Sequence, residues 1–106
     1  MQVTFADQHL EALYRTRTSP KGKLPADVVR RFCGRVQILE AAESIHDLQC
    51  SGSLHFERLR GFENRFSLRV NLQYRLEIEI EFEDKGRTRG VVSVVKLSPH
   101  YGGAKW

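Results

Sequence analysis

The stretch that decides the fold is Phe66-Ser67-Leu68-Arg69-Val70-Asn71-Leu72-Gln73-Tyr74-Arg75-Leu76-Glu77-Ile78-Glu79-Ile80-Glu81-Phe82. On both sides of its centre, apolar residues alternate with polar ones, which is the pattern of a strand with one buried face. The segment at residues 71–73 interrupts the alternation and predicts a turn. The stretch therefore predicts an antiparallel hairpin whose second strand carries a row of glutamates on its polar side.

A further strand is predicted beyond the hairpin. Residues 84–90 combine aspartate, glycine and threonine, a composition typical of a turn. Residues 91–97 are mostly valine, with one serine, one lysine and one leucine, and this run is too apolar for a strand with a solvated face. We therefore expect this strand to be covered on both sides.

The chain before the hairpin is predicted to start with a strand and a helix. Residues 2–5 are rich in β-branched and aromatic side chains and suit one short strand. Asp7 is placed as the N-cap of a helix that runs to about Arg17, because leucines and a tyrosine then recur at helical spacing. Residues 18–23 contain serine, proline and glycine and predict a loop.

A second, longer helix is predicted from Pro25 to about Glu43. Proline suits the first turn of a helix, and apolar residues recur every three or four positions after it. Residues 46–53 are interpreted as a connector. The element order is thus β-α-α-β-β-β-β, an α+β fold with a small antiparallel sheet and two helices on one face. We expect residues 1–106 to form a single domain.

Composition excludes several classes of protein. The chain has 106 residues, 41% hydrophobic and 28% charged, unlike a disordered, collagen-like or coiled-coil chain. No apolar run approaches the ~18 residues that span a bilayer, and the first residues lack the pattern of a signal peptide. Cys33 and Cys50 do not make a disulfide framework. A cytoplasmic protein with no membrane partner is the simplest expectation.

The net charge of +4 is concentrated in the middle of the chain. Residues 54–75 hold five arginines against two glutamates, whereas residues 1–53 contribute +1 and residues 76–106 contribute zero. Strand alternation predicts that Arg69 and Arg75 lie on one polar face and flank the turn. Arg58 and Arg60 are also two residues apart and should share a face of an extended strand.

The arginine face has two interpretations. A solvated face, with its arginines paired to Glu77 and Glu79, is the more common outcome of such a pattern. The alternative is a surface for RNA phosphates, because guanidinium groups offer bidentate donors and keep their charge. The glutamates at positions 77, 79, 81 and 83 are interpreted in the same way as the wet face of a strand, with a cation site as the minority interpretation.

Metal and cofactor sites are not predicted. The histidines, at positions 9, 46, 55 and 100, share no metal-like spacing with each other or with the cysteines. A glycine-rich phosphate loop is also absent, since Gly102-Gly103 precedes no helix. His100 and Tyr101 follow the last predicted strand. Such a pair can transfer protons near neutral pH, although an exposed histidine beside an anchoring tyrosine is the more common arrangement.

These motifs together resemble the RelE/HigB-like toxins of bacterial type II toxin–antitoxin systems, in the branch called plasmid maintenance killer proteins. The likeness covers nearly the whole chain and rests on the order and spacing of short motifs. They are two N-terminal helices, Leu54-His55-Phe56-Glu57-Arg58-Leu59-Arg60-Gly61, Phe66-Ser67-Leu68-Arg69-Val70, Tyr74-Arg75-Leu76 and Lys96-Leu97-Ser98-Pro99-His100-Tyr101-Gly102.

The resemblance implies a ribosome-dependent mRNA endonuclease that inhibits translation without a metal or another cofactor. In such toxins the 2′-hydroxyl of the substrate attacks its own phosphodiester and leaves a 2′,3′-cyclic phosphate. Arg75 matches the phosphate-stabilising arginine of the family, and His55 matches the histidine at the start of the first sheet strand after the helices. His100 and Tyr101 match the C-terminal region used for stacking and proton transfer.

The resemblance also implies substrate contacts and partners. Arg58, Arg60, Arg69 and Lys96 fall where relatives place basic residues that bind the substrate. The partners implied are the A site of the 70S ribosome, mRNA, and a cognate antitoxin, often of the helix-turn-helix type. We expect the antitoxin to cover the arginine face or the outer helix surface.

Two departures and two alternatives accompany this assignment. The better-known members end in an acidic residue, then tyrosine, then histidine, whereas this chain has Pro99-His100-Tyr101 and no evident carboxylate partner. The hairpin around residues 79–87 is also longer than in compact members. The alternatives are a ParE-like toxin that inhibits gyrase and a non-catalytic RNA- or protein-binding module of the same fold.

Overall fold

Five strands and three α-helices make up residues 1–99, the part of the chain that this computed structural model describes. Two short 3-10 turns, Pro20–Gly22 and Gly52–Leu54, join some of these elements. The strands are β1 (Val3–Phe5), β2 (Glu57–Arg58), β3 (Arg65–Arg69), β4 (Tyr74–Phe82) and β5 (Gly90–Pro99), and the helices are α1 (Gln8–Thr16), α2 (Ala26–Ala41) and α3 (Ile45–Gln49).

The strands form one sheet in the order β1-β5-β4-β3-β2. All neighbours are antiparallel except β1, which runs parallel to β5. The predicted α+β class is therefore confirmed, and the sheet is mixed because the first strand of the chain joins the last one side by side. Strand β4 lies at the centre of the sheet.

The predicted hairpin is confirmed in β3 and β4. Leu68 faces Leu76 across the pair, and Phe66 faces Ile78, so the apolar residues of both strands share one face. The Asn71 side-chain oxygen accepts hydrogen bonds of 2.8 Å from the backbone amides of residues 73 and 74. These bonds close the turn in the way that asparagine favours.

The helices begin where capping residues allow. Asp7 is the N-cap of α1 and accepts a 2.7 Å hydrogen bond from the His9 amide, as predicted. Helix α3, which begins at Ile45, overlaps the segment at residues 46–53 that was interpreted as a connector. Ser44 caps it by accepting from the His46 amide at 3.2 Å, and Leu48 anchors it with a fully buried side chain. At five residues, α3 is too short to show a helical period.

The core lies between the helices and one face of the sheet. In its centre are α2 residues such as Phe32 and Val36, which pack towards the apolar side of β3, β4 and β5. None of the helices within residues 1–99 is long and apolar enough to cross a membrane. The largest fully buried side chains are Phe32, Leu39, Leu48, Leu54, Leu68, Leu76, Ile78, Ile80, Val28, Val36, Val70 and Val92.

Strand β5 carries a β-bulge at Val95. Glu77 faces Lys96, but the next residue of β4 faces Val94, so one residue of β5 has no opposite partner. Val92 and Val94 are buried in the core. If the alternation were unbroken, Lys96 and Ser98 would point to the core side together with Val92 and Val94. The bulge instead brings them to the opposite, polar face.

The bulge also explains why β5 was predicted to be covered on both sides. The extra residue puts two valines next to each other and hides the alternation in the sequence. Val91, Ser93 and Val95 are only partly buried, and Lys96 is exposed. The second face of this strand is therefore half open.

We expect Leu68→Ala to lower the free energy of unfolding by about 2–5 kcal/mol, because the side chain is fully buried and its loss leaves a cavity. Leu72→Ala is the matched control, since Leu72 lies in the adjacent turn with 78% of its surface exposed, and it should change stability by less than about 0.5 kcal/mol. Urea unfolding followed by circular dichroism measures both, and equal effects would contradict the assigned core.

The turn between β4 and β5 is organised by one carboxylate. Asp84 accepts from the backbone amides of Thr88, at 2.9 Å, and Arg89, at 3.1 Å, and from the Thr88 hydroxyl. These hydrogen bonds lower the pKa of Asp84 from its ordinary value of 3.8 to about 2, with the side-chain bond to Thr88 the largest cause. The ionised form therefore stabilises the turn.

Because the pKa of Asp84 is lower in the folded chain, its contribution is complete above pH about 4 and is lost as the pH falls towards about 2. We expect Asp84→Asn to unfold at lower urea concentration than wild type at neutral pH, with the difference shrinking over this acid range. The exposed neighbour Glu83→Gln is the control. A difference that stays constant with pH would argue against the ionised turn.

Candidate functional site

A buried guanidinium marks the polar face of the sheet, on the side away from the helices. Arg75 of β4 is only 6% exposed. Its Nη2 donates to Glu57 Oε1 at 2.6 Å and to the carbonyl oxygen of His55 at 3.4 Å. A buried charge needs such partners, because removal from water is otherwise costly. The Glu57 side chain is 50% exposed, so this ion pair borders solvent.

A second guanidinium lies directly across the hairpin. Arg69 of β3 is the register partner of Arg75 of β4, as the alternation predicted. Like charges in opposite positions of an antiparallel pair repel one another. The end of the hairpin is therefore a place where an anion between or beside the two arginines would relieve repulsion.

His55 contacts Arg75 through a strained stretch of backbone. It follows the 3-10 turn Gly52–Leu54 and has a φ of +47°, in the left-handed region that non-glycine residues seldom adopt. This conformation turns its carbonyl oxygen to Arg75, while the exposed side chain lines a groove shared with Arg69. Strain of this kind concentrates at functional sites.

The acidic residues of β4 pair with a different arginine from the ones expected. Arg65 Nη2 lies 3.0 Å from Glu79 Oε2, and Arg65 Nη1 lies 3.5 Å from Glu77 Oε1. The ring of Phe62 lies 4.3 Å from the Arg65 guanidinium carbon. The predicted pairing of arginines with Glu77 and Glu79 is therefore made by Arg65, whereas Arg75 forms an ion pair with Glu57.

Glu77 corrects the expectation of a uniformly wet glutamate face. It is 9% exposed and accepts a 3.0 Å hydrogen bond from the Ser98 hydroxyl. Lys96, a predicted substrate-binding residue, is the register partner of Glu77 on β5 and is exposed. Because of the bulge in β5, Lys96 lies on the polar face, in the cross-strand row next to the row that contains Arg69 and Arg75.

The expectation that Arg58 and Arg60 share a strand face is wrong. Strand β2 ends at Arg58, because the chain turns at Gly61 with a φ of +85°. Arg58 is the register partner of Phe66, so it lies on the face opposite to Arg75, at the sheet edge. Arg60 lies in the turn itself and is exposed.

Two of the predicted catalytic residues lie beyond the described part of the chain. His100 and Tyr101 follow the last described residue, Pro99. Pro99 is the register partner of Tyr74, in the row next to Arg75.

Sequence reasoning missed the carboxylate of Glu57. The sequence suggested Glu77 and Glu79 as partners of the arginine face, yet the carboxylate that pairs with Arg75 is Glu57. The register of Glu57 opposite Ser67 puts it on the polar face. Strand β2 has only two residues, too few for an alternating pattern, so no local signal identifies this pairing.

Other reactive groups are not assembled into a site within residues 1–99. No group of three or more histidine, cysteine or acidic side chains there is placed to hold a metal ion. Cys33 is buried and Cys50 is exposed, and both are free thiols. Burial raises the pKa of the Cys33 thiol, which keeps it protonated near neutral pH.

Comparison with solved structures identifies the class of fold. The chain is similar to the YoeB/ParE toxin from Agrobacterium tumefaciens, with a TM-score of 0.58 at 16% identity, covering 95% of this chain and 100% of that chain. It is also similar to the YoeB-YefM complex from Staphylococcus aureus, with a TM-score of 0.56 at 17% identity, covering 95% and 98% of the two chains. The fold is thus that of small bacterial toxins.

Sequence comparison gives the family. Residues 3–94 match the family described as RelE-like toxin of type II toxin-antitoxin system HigB. Toxin HigB-1 of Vibrio cholerae is 32% identical over 77 residues, 72% of this chain and 80% of that protein. An uncharacterized protein of Haemophilus influenzae is 29% identical over 97 residues, 91% of this chain and 88% of that protein. The chain belongs to the HigB-like toxin family.

The resemblance drawn from the sequence motifs is therefore confirmed. The protein is a toxin of a type II toxin–antitoxin system, and membership of a RelE-like family supports ribonuclease activity in general. The site described above is accordingly a candidate for that activity.

We expect Glu57→Gln to lower the free energy of unfolding by about 1–3 kcal/mol, because the buried Arg75 guanidinium loses the charge that faces it. The partial exposure of Glu57 keeps the effect below that of a fully buried pair. The exposed Glu83→Gln should stay within about 0.5 kcal/mol of wild type. Equal stability of the two variants in urea would show that Glu57 is not needed to balance Arg75.

Proposed function

We propose that this toxin is a metal-independent endoribonuclease that cuts mRNA in the ribosomal A site and so stops translation. The 2′-hydroxyl of one nucleotide loses its proton and attacks the adjacent phosphorus. The bond from phosphorus to the 5′-oxygen breaks, and that oxygen takes up a proton. The products are a 2′,3′-cyclic phosphate and a 5′-hydroxyl end.

The observation that carries this proposal is the pairing of Arg69 and Arg75 across the hairpin, beside a groove open to solvent. Guanidiniums from adjacent strands can together bind the scissile phosphate by charge-assisted hydrogen bonds. The phosphorane that forms in the reaction gains negative charge. Donors held in place before the reaction stabilise that charge best, and burial holds Arg75 in this way.

Glu57 positions Arg75 and offers a carboxylate at the site. Its 2.6 Å ion pair fixes the guanidinium, and half of the Glu57 side chain faces solvent. The proposed proton-transfer residues are His55, His100 and Tyr101. His55 has an exposed side chain within the same groove as Arg69, which suits exchange of a proton with RNA.

The remaining residues of the proposal bind the substrate around this centre. Arg69 and Lys96 share the polar face with Arg75 and suit contacts to RNA phosphates. Arg58 and Arg60 lie farther along the edge of the sheet, where they would contact RNA away from the scissile bond or the ribosome.

The partners proposed are those of a translation-blocking toxin in the bacterial cytoplasm. They are mRNA, the 70S ribosome and a cognate antitoxin. Of these, the antitoxin is supported by the similarity of the fold to the YoeB-YefM complex from Staphylococcus aureus. We propose that residues 1–106 act as a single domain. An acidic antitoxin that covers the arginine face would inhibit the toxin directly, and its affinity would fall as salt rises.

We expect Arg75→Lys to reduce the rate of ribosome-dependent mRNA cleavage by about 10²–10³-fold, because lysine keeps the charge but loses the forked donors. Arg15→Lys, in an exposed ion pair on α1, should cleave like wild type. The assay uses purified ribosomes, a defined mRNA and primer extension. Thermal unfolding of both variants separates a chemical defect from a folding defect.

The ends of the RNA test the reaction itself. Cleavage by the proposed route leaves 5′-hydroxyl ends, which accept phosphate from polynucleotide kinase without prior phosphatase treatment. Ends that carry a 5′-phosphate would contradict the attack by the 2′-hydroxyl. DNA damage on induction with intact mRNA would instead favour the gyrase-inhibiting alternative.

A further inference from the structure

A groove of about 520 Å³ opens beside the arginine pair, between α2 and the turn that joins β3 to β4. Its volume lies in the range of about 300–1,000 Å³ that is typical of ligand sites. It is lined by Asp27, Arg31, Arg35, Ser53, His55, Arg69, Val70, Asn71, Leu72 and Gln73.

The groove is positively charged. Three arginines line it against one aspartate, Asp27, and that carboxylate is already engaged by Arg31 at 3.1 Å and by Arg30. The ion pair with Arg31 lowers the pKa of Asp27, so the carboxylate is ionised and its charge is used locally. Because guanidinium groups outnumber carboxylates, the groove carries a net positive charge that favours the binding of an anion.

Arg35 is fixed at the floor of the groove. Its Nε donates to the Arg69 carbonyl oxygen at 2.7 Å, which ties α2 to the end of β3. Desolvation lowers the pKa of Arg35, which means that its charge is poorly hydrated and would be stabilised by a negative group nearby. The contact also fixes the distance between α2 and the hairpin.

The groove and the candidate catalytic centre share residues. Arg69 lines the groove and is the register partner of Arg75. His55 also lines the groove, while its carbonyl oxygen accepts from Arg75. The groove therefore adjoins the candidate site at Arg69 and His55, whereas Arg75 itself lies outside its lining.

We propose that this groove binds the backbone of single-stranded RNA next to the scissile phosphate, with Arg31 and Arg35 as further phosphate-binding residues. This inference rests on the proposed function and extends its substrate site onto α2. RNA is favoured over an acidic protein segment because Arg69, one of the two arginines assigned to the scissile phosphate, also lines the groove. The amide side chains of Asn71 and Gln73 at the rim offer both donors and acceptors to bases.

The test measures binding of purified toxin to a fluorescein-labelled single-stranded RNA whose 2′-hydroxyls are methylated, so that it cannot be cleaved. Arg31→Gln is the test variant, and Arg30→Gln is its matched control. Arg30 precedes it on the same helix and contacts the same Asp27, but lines a different groove. Fluorescence anisotropy is recorded over a series of salt concentrations.

We expect Arg31→Gln to weaken binding several-fold and to lower the salt slope of log K by about 0.7, the value for one lost phosphate contact in a single strand. Arg30→Gln should leave both close to wild type. Arg35→Lys, which keeps the charge but loses the forked donors, should also weaken binding. The inference would be overturned if the Arg30 and Arg31 variants lost equal affinity for RNA, or if neither variant lost any. It would also be overturned if the Arg31 variant lost affinity for the antitoxin but not for RNA.

A parallel assay of ribosome-dependent cleavage keeps this inference apart from the proposed function. If wild type cleaves mRNA but RNA binding does not depend on Arg31, the groove assignment is wrong and the function stands. If wild type fails to cleave while RNA binding depends on Arg31 and not on Arg30, the nuclease proposal is wrong and the groove still binds RNA.

Discussion

Strand β4 contributes side chains both to the hydrophobic core and to the charged face of the sheet, and this double role constrains the other strands and the helices. It is the central strand of the sheet, so both of its edges are hydrogen-bonded and its register is fixed by β3 and by β5. Leu76, Ile78 and Ile80 are fully buried against the helices. The intervening residues must then point to the other face, where Arg75 and Glu77 are also nearly buried. A slip by one residue would exchange the core with the charged face, so packing of the core also fixes the geometry of the site.

The buried ion pair explains how this small HigB-like toxin can restrict the side chain of Arg75 to one conformation. A surface arginine samples many rotamers, whereas Arg75 is enclosed and faces a carboxylate and a backbone carbonyl oxygen. This arrangement costs desolvation free energy, which the apolar half of the same strands offsets. The left-handed backbone at His55 belongs to the same arrangement, since it directs the carbonyl oxygen to the guanidinium. The stability of the polar face and the position of the Arg75 guanidinium are therefore coupled.

Sequence patterns predicted the structural features that depend on interactions between residues close together in the chain. The alternation from Phe66 to Phe82 was enough for the hairpin and for the shared face of Arg69 and Arg75, and Asp7 marked the start of α1. The features that sequence reasoning missed depend on contacts between distant segments. The Glu57 partner of Arg75 lies 18 residues away across two strand pairings, and the parallel pairing of β1 with β5 joins the two ends of the described chain. The groove beside α2 likewise needs the fold, because its arginines lie in two segments that are distant in the sequence, α2 and β3.

The bulge in β5 has a consequence for comparing this chain with its relatives. Val95 has no partner on β4, so the residues before and after it keep their faces whether or not it is present. A relative that lacks one residue at this point retains an apolar side for the core and a polar side for Lys96 and Ser98. An alignment should therefore open its gap at position 95. Moving the gap by one column would align the bulge residue Val95 with a core residue or with a polar-face residue of the relative.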